Sequence, residues 1–271
     1  MRANVPSYDL RKAPSLEAAL SLRNVGYVPI AGGTDLMVLF QANKLPARRL
    51  VDISHLAELK GVSVTPETIT LGALTTYTEI QRHAQLQSEF SMLCQAASWT
   101  GSIANQNRAT IGGNIANASP AADSLPALLV YEARLVLTSE RGTRTVDYKT
   151  FHTGYKQSLM APDELIQAIQ LPRPAAPSKE YIRKVGTRRA QAISKICFAG
   201  LKQANQIRIA LGSVAPTPIR CPKTEQAIQN GQPAIEILLS EIAPIDDIRS
   251  TARYRNQVAV NLLEEFLNAI A

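Results

Sequence analysis

An α+β protein of two folded units is predicted by three features of the sequence. Short β-rich runs alternate with amphipathic helical stretches as far as Pro172, a proline-rich linker follows, and antiparallel-type strands with one long helix close the chain. At 271 residues the chain suits two units at about 150 residues per domain. Hydrophobic residues at 45% and charged residues at 19% place it among ordinary globular proteins, not disordered or fibrous ones.

The N-terminal section reads as a short strand around Tyr8, a helix from Ser15 to about Arg23 and a strand from Tyr27 to Ala31. Ser15 stands before LEAALSL as an N-cap, and Gly26 follows the helix where a left-handed residue is common. Gly32 and Gly33 interrupt the pattern. Thr34 to Asn43 then reads as helical and Arg49 to Ile53 as a strand, closing a βαβ-like unit near Leu59.

From Gly61 the pattern changes. A turn at Thr65 to Glu67 separates two β-rich runs, and a helix opens at Thr76 with the capping-box spacing Thr76-x-x-Glu79. Helical periodicity returns in SMLCQAASW, and a second glycine pair, Gly112 and Gly113, comes after it. SPAADSLPALLVY leads into a further helix, ARLVLTSERGTRTVDY reads as a hairpin turning at Arg141-Gly142, and LIQAIQLP is a strand stopped by Pro172. Pro172, Pro174 and Pro177 favour an extended linker, which sets the expected domains at 1–174, with subdomains of about 1–59 and 60–174, and 178–271.

In the second unit, AISKICFAGLK and QIRIALGSV alternate like antiparallel strands, and TPIRCPKTEQAIQNG holds a helix that stops at Gly231. The last segment carries Ile248, Ala252, Ala259, Leu262, Leu263, Phe266 and Ile270 at helical spacing. A long amphipathic helix packed on the small sheet is expected there.

Several function classes are disfavoured by composition. The N-terminus lacks an apolar signal-peptide core, and no stretch approaches the roughly 18 apolar residues of a membrane helix, so a cytoplasmic location without a membrane span is expected. Cys94, Cys197 and Cys221 are odd in number and never in C-x-x-C spacing, which fits buried or half-buried thiols and no metal site; His55, His83 and His152 are equally scattered. The net charge of +7 is concentrated between Lys179 and Lys223, where ten Lys or Arg residues meet one acid, Glu180. Tyr181 and Phe198 are the only aromatics in that run, too few for a base-stacking platform, so nucleic acid is not expected. An acidic partner subunit or a phosphorylated cofactor explains the charge more economically.

The central motif is duplicated. YVPIAGGTDL and RATIGGNIANASPAAD each place adjacent glycines directly after an apolar run. Absent β-carbons let backbone N–H groups approach a bulky ligand, and donors at a helix start suit a diphosphate. Neither loop is a G-x-G-x-x-G fingerprint or a Walker loop. Asp35 would repel a diphosphate that it faced, so its carboxylate is expected to cap the following helix.

AGGTDLMVLFQ, ATIGGNIANASPAADSLPALL and YIRKVGTRRAQAISK strongly resemble the segments lining the flavin site in the medium subunit of molybdenum hydroxylases, the xanthine dehydrogenase and aerobic carbon monoxide dehydrogenase type. The resemblance runs from about Tyr8 to Leu267 in segment order, including IALGSVAPTPIR and a final helix with ARYR. It implies a two-subdomain FAD-binding fold of the vanillyl-alcohol-oxidase (PCMH) type, followed by a small C-terminal domain of the carbon monoxide dehydrogenase flavoprotein type. Ala31, Gly32, Gly33, Thr34, Asp35 and Leu36 then match a first FAD loop wrapping the diphosphate. Thr110, Ile111, Gly112, Gly113 and Asn114 match a second, bringing Ile111 near the isoalloxazine ring. Asp123 matches an acid that accepts a hydrogen bond from the cofactor, Ile166 an apolar position against the flavin, and Lys184 a cation beside it.

Read without the resemblance, Ile166 is a core strand residue, Lys184 a solvated charge in a turn, and Asp123 a helix cap. The implied role is electron transfer from the iron-sulfur small subunit of a complex that also holds a molybdopterin-binding large subunit, with NAD+, oxygen or a quinone as acceptor. No catalytic side-chain constellation or metal site is expected in this chain. Three rivals stand beside that role: a free-standing reductase of the same flavin fold, a scaffold subunit with weak or no FAD binding, and a nucleic-acid binder.

Overall fold

The computed structural model describes residues 7–45, 47–174, 178–188 and 191–270. Pro177 of the expected linker and Arg189 of YIRKVGTRR lie outside them.

The first layer is built from β1 (Asp9–Lys12), α1 (Leu16–Asn24), β2 (Val28–Ile30), α2 (Leu36–Gln41) and β3 (Arg49–Asp52). Its strands form a parallel sheet in the order β1-β3-β2. Ser15 caps α1 as expected, its hydroxyl accepting the Ala18 N–H at 3.2 Å, and Gly26 beyond the helix has φ +90°. Ala19, Leu20, Val51 and Ile53 fill the small core between helix and sheet.

The second layer begins with β4 (Val62–Val64) and β5 (Thr68–Gly72), separated by the expected turn. Helices α3 (Tyr77–Arg82), α4 (Ala84–Glu89), α5 (Ser91–Trp99), α6 (Ile103–Gln106), α7 (Ile111–Asn117) and α8 (Leu125–Val130) follow. The chain then returns through β6 (Arg134–Ser139), β7 (Gly142–Asp147), the small hairpin β8 (His152–Gly154) and β9 (Gln157–Ser158), and β10 (Leu165–Pro172). Both arms of the Thr76–Glu79 capping box are present at α3. The β6–β7 turn falls at Glu140 and Arg141, one residue before the expected position, and Gly142 opens β7 with φ +123°. The sheet is antiparallel in the order β4-β5-β10-β6-β7, so β10 is its central strand.

After the linker come β11 (Ser178–Val185), β12 (Ile196–Gln203), β13 (Gln206–Gly212), β14 (Ile219–Arg220), α9 (Pro222–Gln229), α10 (Ile235–Glu241) and α11 (Ala252–Ile270). The strands form an antiparallel sheet in sequence order. Ile196 through Leu201 are all buried, because both faces of the sheet are covered. Ala199, Leu201 and Ala210 face the main core beside α8, whereas Ile196, Phe198, Ile209 and Leu211 face α9 and α11. The two-residue alternation of side chains thus feeds two cores at once.

The last helix starts later than the apolar spacing suggested. Ile248 is not on it but fully exposed in the Asp247–Ser250 turn, and Ala252 is only half-buried. Side chains of the preceding loop set that start: Asp246 Oδ1 accepts the Ala252 N–H at 2.5 Å and Thr251 Oγ1 accepts that of Tyr254 at 3.2 Å. Ala259, Leu262, Leu263, Phe266 and Ile270 are buried as expected, and so is Arg255. Its guanidinium donates to Asp247 Oδ1 at 2.8 Å and to the Ile245 carbonyl at 3.0 Å. Among the described residues, no helix is long and apolar enough to cross a membrane. Cys94 is half-buried, and Cys197 and Cys221 are buried free thiols.

Candidate functional site

The first glycine loop joins β2 to α2. Gly33 takes φ +74°, a left-handed value that lets the chain reverse, and its carbonyl accepts the Met37 N–H at 2.9 Å. The backbone N–H groups of Gly32, Gly33, Thr34 and Asp35 meet no acceptor among the described residues. Four successive open donors before a helix make a concave positive surface suited to phosphate oxygens. Asp35 does stand at the N-cap of α2, but its side chain makes no capping bond. Its Oδ1 instead accepts from Asn117 Nδ2 at 3.2 Å, because its own α-helical backbone angles turn the side chain away from the cap. The carboxylate is thereby tied to the second loop.

The second glycine pair is not a free loop but the first turn of α7. Thr110 caps it, with Oγ1 accepting the Gly113 N–H at 3.2 Å. The Ile111 and Gly112 N–H groups donate to the carbonyls of Thr75 at 3.0 Å and Ala73 at 2.9 Å. The donors of this turn are therefore used within the protein. Ile111 is fully buried, as is Gly112, and Asn114 Oδ1 accepts from Ser124 Oγ at 3.2 Å. Ile166 lies on β10 with 7% of its surface exposed, packed in the same core.

Close packing explains two of the glycines, Gly32 against the second loop and Gly112 against the chain just after β5. A Cβ on Gly32 would lie 1.8 Å from the Arg108 carbonyl oxygen, and one on Gly112 would lie 2.6 Å from Ala73 Cβ. The missing side chains at these positions let the protein pack closely on itself, a reason for glycine besides the ligand approach expected from the sequence. Arg108 Nε donates to the Gly32 carbonyl at 3.1 Å, and its remaining guanidinium N–H groups meet no acceptor among the described residues. Asn117 bridges onward, its Oδ1 accepting from Lys156 Nζ at 2.5 Å at the β8–β9 turn. His152 on the same hairpin donates from Nε2 to the Ile115 carbonyl at 2.9 Å. Burial pushes the His152 pKa down, and the bond to Ile115 opposes this in part.

Asp123 and Lys184 meet across the two domains. Lys184 Nζ donates to Asp123 Oδ2 at 2.6 Å and to the Trp99 carbonyl at 3.0 Å, while Ser194 Oγ donates to Asp123 Oδ1. Lys184 is therefore no solvated turn residue; its side chain is 9% exposed. Asp123 does not cap α8 either. Burial pushes the Asp123 carboxyl above its ordinary range, and Lys184 and Ser194 pull it back.

The model of the FAD binding domain in molybdopterin dehydrogenase matches residues 6–174, and that of the CO dehydrogenase flavoprotein C-terminal domain matches residues 181–270. This chain belongs to that flavoprotein family. It is 34% identical over 243 residues to the xanthine dehydrogenase FAD-binding subunit of Escherichia coli O157:H7, covering 83% of this chain and 82% of that one. It is 27% identical to the carbon monoxide dehydrogenase medium chain of Hydrogenophaga pseudoflava over 89% of this chain and 88% of that one. A solved carbon monoxide dehydrogenase structure from that organism, lacking the Mo-pyranopterin moiety of its cofactor, superimposes with a TM-score of 0.92 at 26% identity, covering 98% of both chains. The fold is thus the expected FAD-binding domain with a C-terminal antiparallel sheet and helices, and the chain is an oxidoreductase flavoprotein of the molybdenum hydroxylase family.

In this flavoprotein the basic run from Lys179 to Lys223 is partly paired within the chain. Arg208 pairs with Glu132 at 3.0 Å, Arg220 with Glu225 at 2.7 Å, Arg183 with Glu265 at 3.7 Å, and Lys184 with Asp123. Acids of the same chain thus pair with Arg183, Lys184, Arg208 and Arg220 of the run. Arg108, Asn117, Lys156 and Ser194 were missed. Arg108 and Asn117 flank the second glycine pair, and that proximity could have drawn attention to them. Lys156 and Ser194 carry no local signal.

Proposed function

We propose that this chain is the FAD subunit of a molybdenum hydroxylase complex, receiving electrons from an iron-sulfur subunit and passing them to NAD+, oxygen or a quinone. What carries the proposal is the row of open N–H groups from Gly32 to Asp35 beside the free guanidinium edge of Arg108. This donor set fits a dinucleotide diphosphate: several hydrogen bonds, one full positive charge and a carboxylate already held by Asn117. Bound FAD supplies the conversion between one-electron centres and a two-electron acceptor.

The chain's own residues position and enclose. Ala31 and Leu36 flank the donor row, and Thr34 adds a hydroxyl to it. Thr110, Gly112 and Gly113 fix the start of α7, so the second loop acts by seating the first, with Asn114 at its rim. Ile111 and Ile166 support the second loop from the core. Asp123 and Lys184 place a charge pair where the second domain covers the first, within the proposed domains 1–174 and 178–271. A molybdopterin-binding large subunit and an iron-sulfur small subunit complete the assembly in the cytoplasm.

The test is co-purification from the native cell, followed by a visible absorbance spectrum and metal analysis. Flavin with molybdenum and iron is the expected result. A colourless protein that stays colourless after FAD is added would sink the reading and leave a scaffold subunit in its place.

A further inference from the structure

The segment between α7 and α8 is held on both sides. On one side Ser124 Oγ meets Tyr77 Oη at 2.9 Å and donates to Asn114 Oδ1 at 3.2 Å, reaching the second glycine turn. On the other, the end of the C-terminal sheet grips it. The Ser213 N–H donates to the Pro120 carbonyl at 2.8 Å, Cys197 Sγ lies 3.5 Å from the Asp123 carbonyl, and Lys184 and Ser194 take the Asp123 carboxylate. Ser213 Oγ in turn donates to the Ser194 carbonyl at 3.1 Å. Ser194 is 1% exposed and Ser124 fully buried, so water does not substitute at either hydroxyl.

We propose that Ser194 is a positioning residue for FAD, through which the C-terminal domain fixes the second glycine turn. The path runs from Ser194 to the Asp123 carboxylate, through the adjoining Ser124 hydroxyl, to Asn114 on α7. Ser194 does not touch the glycine loops itself. Its hydroxyl holds one carboxylate oxygen while Lys184 holds the other, so the Asp123-Ser124 dipeptide has one orientation. The second domain is then part of the cofactor site, not a lid added to it. This inference rests on the reading that the glycine loops bind FAD.

Asp123 faces Lys184 on β11, Ser194 ahead of β12, Cys197 on β12 and the Tyr77 phenol on α3. Of these, Lys184 is the only cation, and Ser194 adds a second donor that favours the ionised carboxylate. Removing that donor moves Asp123 protonation to higher pH.

The experiment is titration of the full chain with FAD across acid to neutral pH, comparing wild type, Ser194→Ala, Asn114→Ala and the double variant, with thermal unfolding of each cofactor-free protein. Ser194→Ala is expected to weaken FAD binding by about tenfold to a hundredfold, the range of a lost hydrogen bond to a charged group. Its affinity should also fall away at a higher pH than that of wild type, and its effect should shrink in the Asn114→Ala background. If Ser194→Ala lowers only the unfolding temperature, with FAD affinity and pH profile unchanged, the residue is merely structural and the proposal is overturned. Independent effects of the two substitutions would refute the path. Should Ser194→Ala fail to fold, Ser213→Ala, which loosens Ser194 from outside the Asp123 pair, must reproduce the affinity loss or the proposal falls. A wild-type chain that takes up no FAD sinks the cofactor reading and this inference together, whereas normal uptake by every variant sinks the inference alone.

Discussion

Gly32 is the tightest point of the candidate site, since any side chain there would strike the Arg108 carbonyl oxygen. Gly32→Ala must part the two loops, at about 1–3 kcal/mol for such overpacking, and FAD affinity should fall by about tenfold or more. Flavin uptake equal to wild type would show that contact between the loops does not matter for binding. Gly113 differs, because a Cβ there would meet only Thr110 Oγ1 at 2.8 Å. Valine at Gly112 would collide with Ala73 and so disturb folding before it could test ligand approach. The positions of these glycines were legible in the sequence, but their reasons were not. A glycine pair after a strand reads the same whether its missing Cβ faces a ligand or another stretch of backbone.

Helix α11 shows how an element can be read correctly along most of its length and misread at one end. Its core face was legible from spacing, and Phe266, lying against Gly200, is fully buried. Phe266→Ala should cost about 3–5 kcal/mol in chemical denaturation. Ile248 kept the helical spacing by coincidence; as a fully exposed turn residue, Ile248→Glu should change stability by less than about 0.5 kcal/mol. The Asp247 anchor predicts acid behaviour. Burial alone would raise the Asp247 pKa, but the bond from Arg255 and the N–H groups of Arg249 and Ser250 outweigh it and bring it to about 2. A depressed carboxylate contributes stability above its unfolded value near 3.9, and that contribution is lost as pH falls through about 2. Asp247→Asn should therefore flatten the stability profile between about pH 4 and 2. An unchanged acid-unfolding curve would remove the anchor from the account.

The molecule as a whole depends on a sheet covered on both faces. Leu125 through Val130 of α8 are buried, and β12 and β13 pack against that helix. A fragment ending at residue 174 should expose this apolar surface, bind a hydrophobic dye and lose its cooperative thermal transition. Cooperative unfolding without dye binding would show that the first domain closes its own core. Lys184 illustrates the same dependence. Its sequence neighbourhood is cationic and turn-like, yet it is buried because Asp123, 61 positions away, neutralises it.

The sequence by itself determined the strands and helices with clear local spacing, from the first strand to the amphipathic face of α11, together with the Ser15 and Thr76 caps, the placement of the glycine pairs and the family, but not α7, β11 or the β8–β9 hairpin. Each feature it determined is written in local spacing or in a motif of contiguous residues. Only the tertiary structure decided which glycine turn leaves its N–H groups open, which acids pair with the basic run and which serine holds Asp123. Those outcomes depend on partners far apart in the chain, such as Asp35 and Asn117 at a separation of 82 residues, and local pattern carries no record of such pairs.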